Sequence, residues 1–89
     1  MINEHLIKGF GQRIRELRNT NSLSQEKLAF STGFHRTYIG MIERGERNIS
    51  LTNMAVFAKV FDMNLAELFD FTSKNKKYSF INYEIKIQK

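Results

Sequence analysis

The chemistry open to this 89-residue chain is concentrated in Arg36, Thr37 and Met41. An arginine can fork two parallel N–H donors onto the O6 and N7 of a guanine, while a threonine can hydrogen-bond a base edge or touch a thymine methyl. A methionine thioether is soft enough to lie against that same methyl or to fill a core gap. Arg36 and Thr37 precede Ile39 and Ile42, which recur at helical spacing, so the polar pair opens a helix whose other face is apolar. His35 stands just before them as an atypical N-cap or a phosphate contact. Tyr38 can place its hydroxyl on a phosphate while its ring packs on the helix. Other chemistries lack their parts. There is no cysteine, and the two histidines, His5 and His35, are too few for a metal cluster. Gly9-Phe10-Gly11 is not a phosphate loop, because no third glycine falls at position 14, no Gly-Lys-Ser/Thr follows and no strand precedes it. Spacing supports no Ser/His/acid set and no paired carboxylates. No catalytic residue, metal or cofactor is expected, and the chain does not read as an enzyme.

These side chains need a helix held at a fixed angle to another, and Ser24 to Arg47 supplies the pattern for both. Ser24 can cap a helix from about Gln25 to Ser31, its hydroxyl accepting a free N–H of the first turn. Leu28 and Ala29 give that helix an apolar face, and the small Ala29 allows a close crossing. Gly33 falls where the chain must turn sharply and take positive φ. Phe34 fills the corner, a second helix runs from about Arg36 to Arg44, and Gly45 stops it. This is a helix-turn-helix, whose second helix enters the DNA major groove.

The rest of the chain supports that pair. Leu6, Ile7, Phe10, Ile14 and Leu17 form a helical stripe, with Gly9 and Gly11 predicting a helix that firms up only from Phe10 onward. Ser50 caps a fourth helix with Leu51, Met54, Ala55, Ala58, Val60 and Phe61 on a broad apolar face. Asn64 and Glu67 form a capping box before a fifth, Leu65 to Phe71. Leu68, Phe69 and Phe71 are more apolar bulk than so short a helix can bury, so they are expected at core or dimer contacts. After the polar hinge Thr72 to Lys77 the period changes to two: Ile81, Tyr83 and Ile85 alternate with polar residues, a strand signal. A lone strand needs a partner. It pairs with its copy across a dimer axis, the reading preferred here, or packs as an arm on the partner. The expected organisation is a DNA-binding domain over residues 1–72 and a dimer-associated C-terminal β arm over 73–89.

Length allows one domain. A chain this small buries only about 60% of its unfolded surface, so a second subunit would help it. The net charge of +5 suits a polyanion, yet residues 1–70 carry nine Lys/Arg against eight Asp/Glu and residues 71–89 carry five against one. The excess lies in the tail, and a DNA face must come from a few local arginines. The longest apolar run, Met54 to Ala58, is too short for a membrane. No signal peptide is evident, and the absence of cysteine fits a reducing cytoplasm.

With RIRELR, SQEKLA, Gly33, YIGMIERGER and NLAELF in this order, the chain resembles the Cro/CI-like (XRE) family over roughly Phe10 to Phe71. The segment FHRTYIGMIERGERNISL is closer still to the controller proteins of restriction–modification systems, through Arg36-Thr37-Tyr38-Ile39 and Ile42-Glu43-Arg44. His35 replaces the usual small cap, Gly40-Met41 replaces an expected Ser-Gly pair, and the terminal strand is outside the family's common core. The resemblance implies an all-α, five-helix lambda-repressor-like domain, here with the β arm. It implies a homodimeric transcription regulator that binds pseudo-palindromic double-stranded DNA near its own promoter and works with RNA polymerase. It also implies phosphate contacts by Gln25, Arg44, Arg47 and Asn48, and a structural ion pair between Arg18 and Glu43. A phage-type repressor, or an antitoxin-like autoregulator whose partner is another protein, is the alternative.

Overall fold

The computed structural model describes residues 4–71. Five helices follow in order: α1 Glu4–Thr20, α2 Gln25–Thr32, α3 Arg36–Glu43, α4 Leu51–Val60 and α5 Leu65–Leu68. Three caps act through side-chain oxygens. Ser24 accepts from Lys27 N–H at 3.0 Å and Ser50 from Asn53 N–H at 3.1 Å. Asn64 and Glu67 bond reciprocally at 2.8 and 2.9 Å, the full capping box. Each satisfies an N–H that the first helical turn leaves without an intrahelical partner.

α1 begins at Glu4 and runs through both glycines, earlier than the expected start at Phe10. Tertiary packing overrides the propensity cost. Gly9 and Gly11 are buried, and a Cβ on Gly11 would overlap the carbonyl oxygen of Ile42 on α3. The glycine that weakens the isolated helix is what lets α1 lie against the α3 backbone. Gly45 repeats the device at the end of α3, with φ +74° and with Lys8 Cγ 2.6 Å from where its Cβ would stand.

The core gathers Phe10, Ile14 and Leu17 of α1, Leu28 and Ala29 of α2, Ile39 and Ile42 of α3, Phe57 and Ala58 of α4, then Phe61, Leu68 and Phe71. Phe57 is the fully buried hinge of this cluster. Its ring meets Phe10 edge-on at 6.4 Å and Phe34 at 5.4 Å, joining α1, the α2–α3 corner and α4. Full burial of one such side chain contributes about 1.5–3 kcal/mol. The buried face of α4 is thus Phe57 and Ala58 followed by Phe61. Leu51, at 65% exposure, and Ala55 face solvent instead of joining the expected apolar face.

α5 is shorter than expected and ends at Leu68. Arg13 holds it from α1, its Nε donating to Leu68 O at 3.0 Å and its Nη2 to Glu67 O at 2.6 Å. These are carbonyls that a helix C-terminus leaves open. The expected dimer role of Leu68 is corrected here. It has no exposed surface and fills the core, and Phe71 is buried beside it, while Phe69 is half-buried against Phe10 at 5.7 Å. The expected β arm, with Ile81, Tyr83 and Ile85, lies outside the described residues. Among the described residues all regular structure is helical.

Candidate DNA interface

α2 and α3 meet through a turn that the sequence fixes residue by residue. Gly33 takes φ +80° and donates its N–H to Ala29 O at 2.8 Å. The Thr32 hydroxyl donates to Leu28 O at 2.9 Å and accepts from Phe34 N–H at 3.2 Å, bracing both sides of the corner. His35 is the N-cap of α3, its Nδ1 accepting from Thr37 N–H at 3.3 Å. At the far end, Gly45 N–H donates to Ile42 O and Glu46 N–H to Met41 O, at 3.0 and 2.8 Å. Both ends of α3 are closed by local bonds.

The inner side of α3 is locked by Ile39, Ile42 and Glu43, all buried. Glu43 is the buried charged residue of the core. Arg18 grips it with two nitrogens, Nε to Oε2 at 2.7 Å and Nη2 to Oε1 at 3.1 Å, and its Nη1 donates to Leu23 O at 2.9 Å. Gln25 Nε2 adds a bond to Oε1 at 3.1 Å and Arg15 Nε a longer one at 3.4 Å. Burial pushes the Glu43 carboxyl up, but the bonds from Arg18 and Gln25, the charge of Arg18 and the bond from Arg15 together outweigh it. The carboxyl is therefore held below the ordinary carboxylate range. The bond from Glu43 raises Arg18 against the opposing effect of burial. A buried carboxylate is tolerated only when donors fill its lone pairs, and here α1, α2 and α3 all contribute donors or acceptor.

The outer side carries the residues singled out for chemistry. Arg36 and Thr37 are exposed at the first turn, with Met41 half-buried further along the helix and Arg44 exposed at its C-cap. Gly40 between them is itself buried under side chains. The position a Cβ would take lies 3.1 Å from Arg44 Nη1 and 3.7 Å from Gln25 Oε1. Gly40 therefore makes room for its own neighbours, not only for an approaching groove. Arg44 pairs with Glu46, Nε to Oε2 at 3.0 Å and Nη2 to Oε1 at 3.2 Å, both side chains about half exposed. The bond from Arg44 lowers Glu46, and the same bond raises Arg44.

Tyr38 sits at the edge of this surface. Its ring packs on Phe34 at 5.2 Å, and its hydroxyl accepts from Asn53 Nδ2 of α4 at 3.0 Å. The Arg47 guanidinium lies 5.2 Å over the ring, a cation–π placement. Arg47 and Asn48 are exposed on the loop after α3. The fold thus brings Gln25, His35, Arg36, Thr37, Tyr38, Met41, Arg44, Arg47 and Asn48 into α2, α3 and the loop that follows them. Sequence reasoning did not single out Asn53, which steadies Tyr38, or the link from Gln25 to Glu43. Both join residues of different helices, which spacing along one helix does not reveal. Among the described residues no cluster of His, Cys, Asp or Glu could hold a metal, and no helix is long and apolar enough to cross a membrane.

A helix-turn-helix whose inner face is bonded shut and whose outer face presents Arg36 and Thr37 defines a class, and the chain belongs to the helix-turn-helix family, whose pattern matches residues 14–68. Within it, the chain is similar to restriction–modification control proteins. It is 49% identical over 65 residues to the control protein C.BamHI of Bacillus amyloliquefaciens, covering 72% of this chain and 80% of that one. It is 46% identical over 57 residues to C.SmaI of Serratia marcescens, covering 64% and 68%. Among solved structures it resembles the restriction–modification controller protein C.AhdI of Aeromonas hydrophila, with a TM-score of 0.68 and 51% identity over 71% of this chain and 96% of that one. The C.Esp1396I tetramer in complex with its natural 35-base-pair operator matches with a TM-score of 0.68 at 28% identity, covering 73% and 86%.

Proposed function

We propose that this protein is a cytoplasmic, sequence-specific transcription regulator that controls a restriction–modification system by binding operators near its own promoter. One observation carries the reading most: the exposed first turn of α3 presents Arg36 and Thr37 from a helix whose opposite face is fixed by the core and by Glu43. Kinship with control proteins, one of them seen on its operator, supports the same reading.

In this mechanism two copies form a dimer on a pseudo-palindromic site, with their α3 helices in successive major grooves about 34 Å apart. Arg36 forks onto a guanine, Thr37 meets the neighbouring base and Met41 touches a thymine methyl. Gln25, His35, Tyr38, Arg44, Arg47 and Asn48 hold backbone phosphates, which position the protein without reading sequence. The Tyr38 hydroxyl accepts from Asn53, so its own proton remains for a phosphate. Phe69 and the C-terminal arm are the dimer surface, in a self-complementary contact. A regulator bound beside the promoter would act through RNA polymerase.

The test is footprinting on DNA upstream of the gene across a salt series. A protected palindrome whose affinity falls steeply with salt is expected. Absence of protection by folded, dimeric protein would remove the autoregulatory reading. Arg36→Ala should cost about 1–3 kcal/mol of binding, concentrated at one base pair. An equal loss on every sequence would make Arg36 a phosphate contact.

A further inference from the structure

Glu46 is an acidic side chain on a surface read as facing DNA, where a free carboxylate would repel phosphate. It is not free. Two nitrogens of Arg44 rest on its two oxygens, at 3.0 and 3.2 Å. The third, Nη1, lies 3.1 Å from where a Cβ on Gly40 would stand, so the guanidinium lies over Gly40 while about half of the side chain remains exposed. A Cβ at position 40 would require it to give by a few tenths of an ångström.

We propose that Glu46 is a specificity-determining residue that acts through Arg44. This inference rests on the DNA-binding reading above. The clasp makes Arg44 and Glu46 a neutral pair toward a phosphate some distance away, and so subtracts one cation from the sequence-independent attraction that supplies non-specific binding. An exposed pair is weak, because water and salt screen it. A correctly docked duplex brings a backbone phosphate within hydrogen-bond reach of the guanidinium and takes it over from Glu46. A loosely bound, wrong sequence does not place an acceptor there. Glu46 thus lowers affinity for wrong DNA more than for the right site.

The test uses the full chain, a duplex enriched by the wild-type protein from a random pool, and a scrambled duplex of equal length. Binding is measured with each across salt for wild type, Glu46→Gln, Arg44→Gln and the double variant. Glu46→Gln should bind the scrambled duplex more tightly and gain less on the selected one, so the ratio between them falls. Its salt dependence on the scrambled duplex should steepen by about one phosphate contact, a log–log slope near −0.9, so that the gain shrinks about three- to fourfold between 50 and 200 mM salt. In the Arg44→Gln background Glu46 is a free carboxylate, so Glu46→Gln should raise affinity for both duplexes alike and leave the ratio between them unchanged. Equal gains on both duplexes with Arg44 present, or a fall in their ratio that persists without Arg44, would mean that Glu46 does not act through Arg44 and overturn the proposal. A loss confined to the selected duplex would make Glu46 a scaffold for Arg44 and overturn it too, as would no change on either. Thermal melting of each variant separates these outcomes from unfolding. A wild-type protein that enriches no sequence would overturn the DNA-binding reading and this inference together.

Discussion

Two forked ion pairs stand almost side by side at the end of α3, and they differ most in their exposure to water. Glu43 and Arg18 form a forked pair whose side chains are 0% and 14% exposed. Glu46 and Arg44 form a forked pair whose side chains are 49% and 52% exposed. The bonds are nearly the same length. Water makes the difference. In the buried pair, losing either partner strands a charge in low dielectric, so the pair acts as a clamp between α1 and α3. In the exposed pair each partner has water to fall back on, so the bond can open when something better arrives. One pair holds α3 in place, and the other is the pair proposed to exchange partners on its surface.

The largest way to break this comparison is to remove the clamp. Arg18→Met should destabilise the protein by about 3–5 kcal/mol, the usual loss when one partner of a buried pair is deleted, measured by urea denaturation. A variant that melts normally but binds DNA poorly would make Arg18 a DNA contact instead. Gly11→Ala attacks the same seam by steric means. Its Cβ meets the Ile42 carbonyl, which is backbone and cannot swing aside. A loss of about 1–3 kcal/mol is expected from the forced displacement, although alanine is the better helix former in isolation.

Acid provides a graded version. Glu43 is held below the ordinary glutamate pKa of about 4.3, so its contribution is complete above that value. It is lost progressively as pH falls below it and through the lower folded value. Stability measured against pH should therefore fall in that acid range for the wild type and fall less steeply for Arg18→Met. A parallel fall in both would show that other carboxylates govern acid unfolding. The smallest expected effect is Glu46→Gln on stability: its melting temperature should match the wild type while its DNA discrimination changes. A lowered melting temperature would make the two pairs alike and collapse the distinction.

Much of this arrangement is legible in residue types because the forces concerned are local. Ser24, Ser50 and the Asn64/Glu67 pair cap helices wherever they stand before an amphipathic run. Gly33 and Gly45 take positive φ because the neighbouring turns demand it. Arg36 and Thr37 project outward because Ile39 and Ile42 set the opposite face. Contacts that join distant segments are not legible in this way. Phe57 belongs to no obvious stripe, yet its ring lies between Phe10 and Phe34. Along the chain Leu68 reads as surplus apolar surface, but α5 turns it fully inward.

By itself, then, the sequence determined the order of the helices, the caps at Ser24, Ser50 and Asn64, the turn between α2 and α3, and which residues open α3. Each depends on groups within a few positions of one another, where covalent geometry limits the outcomes. Only the tertiary structure decided that α1 runs through its glycines, that Arg44 covers Gly40, that Gln25 completes the shell of Glu43, and that one of two adjacent ion pairs is dry and the other wet. Those outcomes depend on which surfaces meet and exclude water, and the spacing of residues along one chain does not specify how close two helices come.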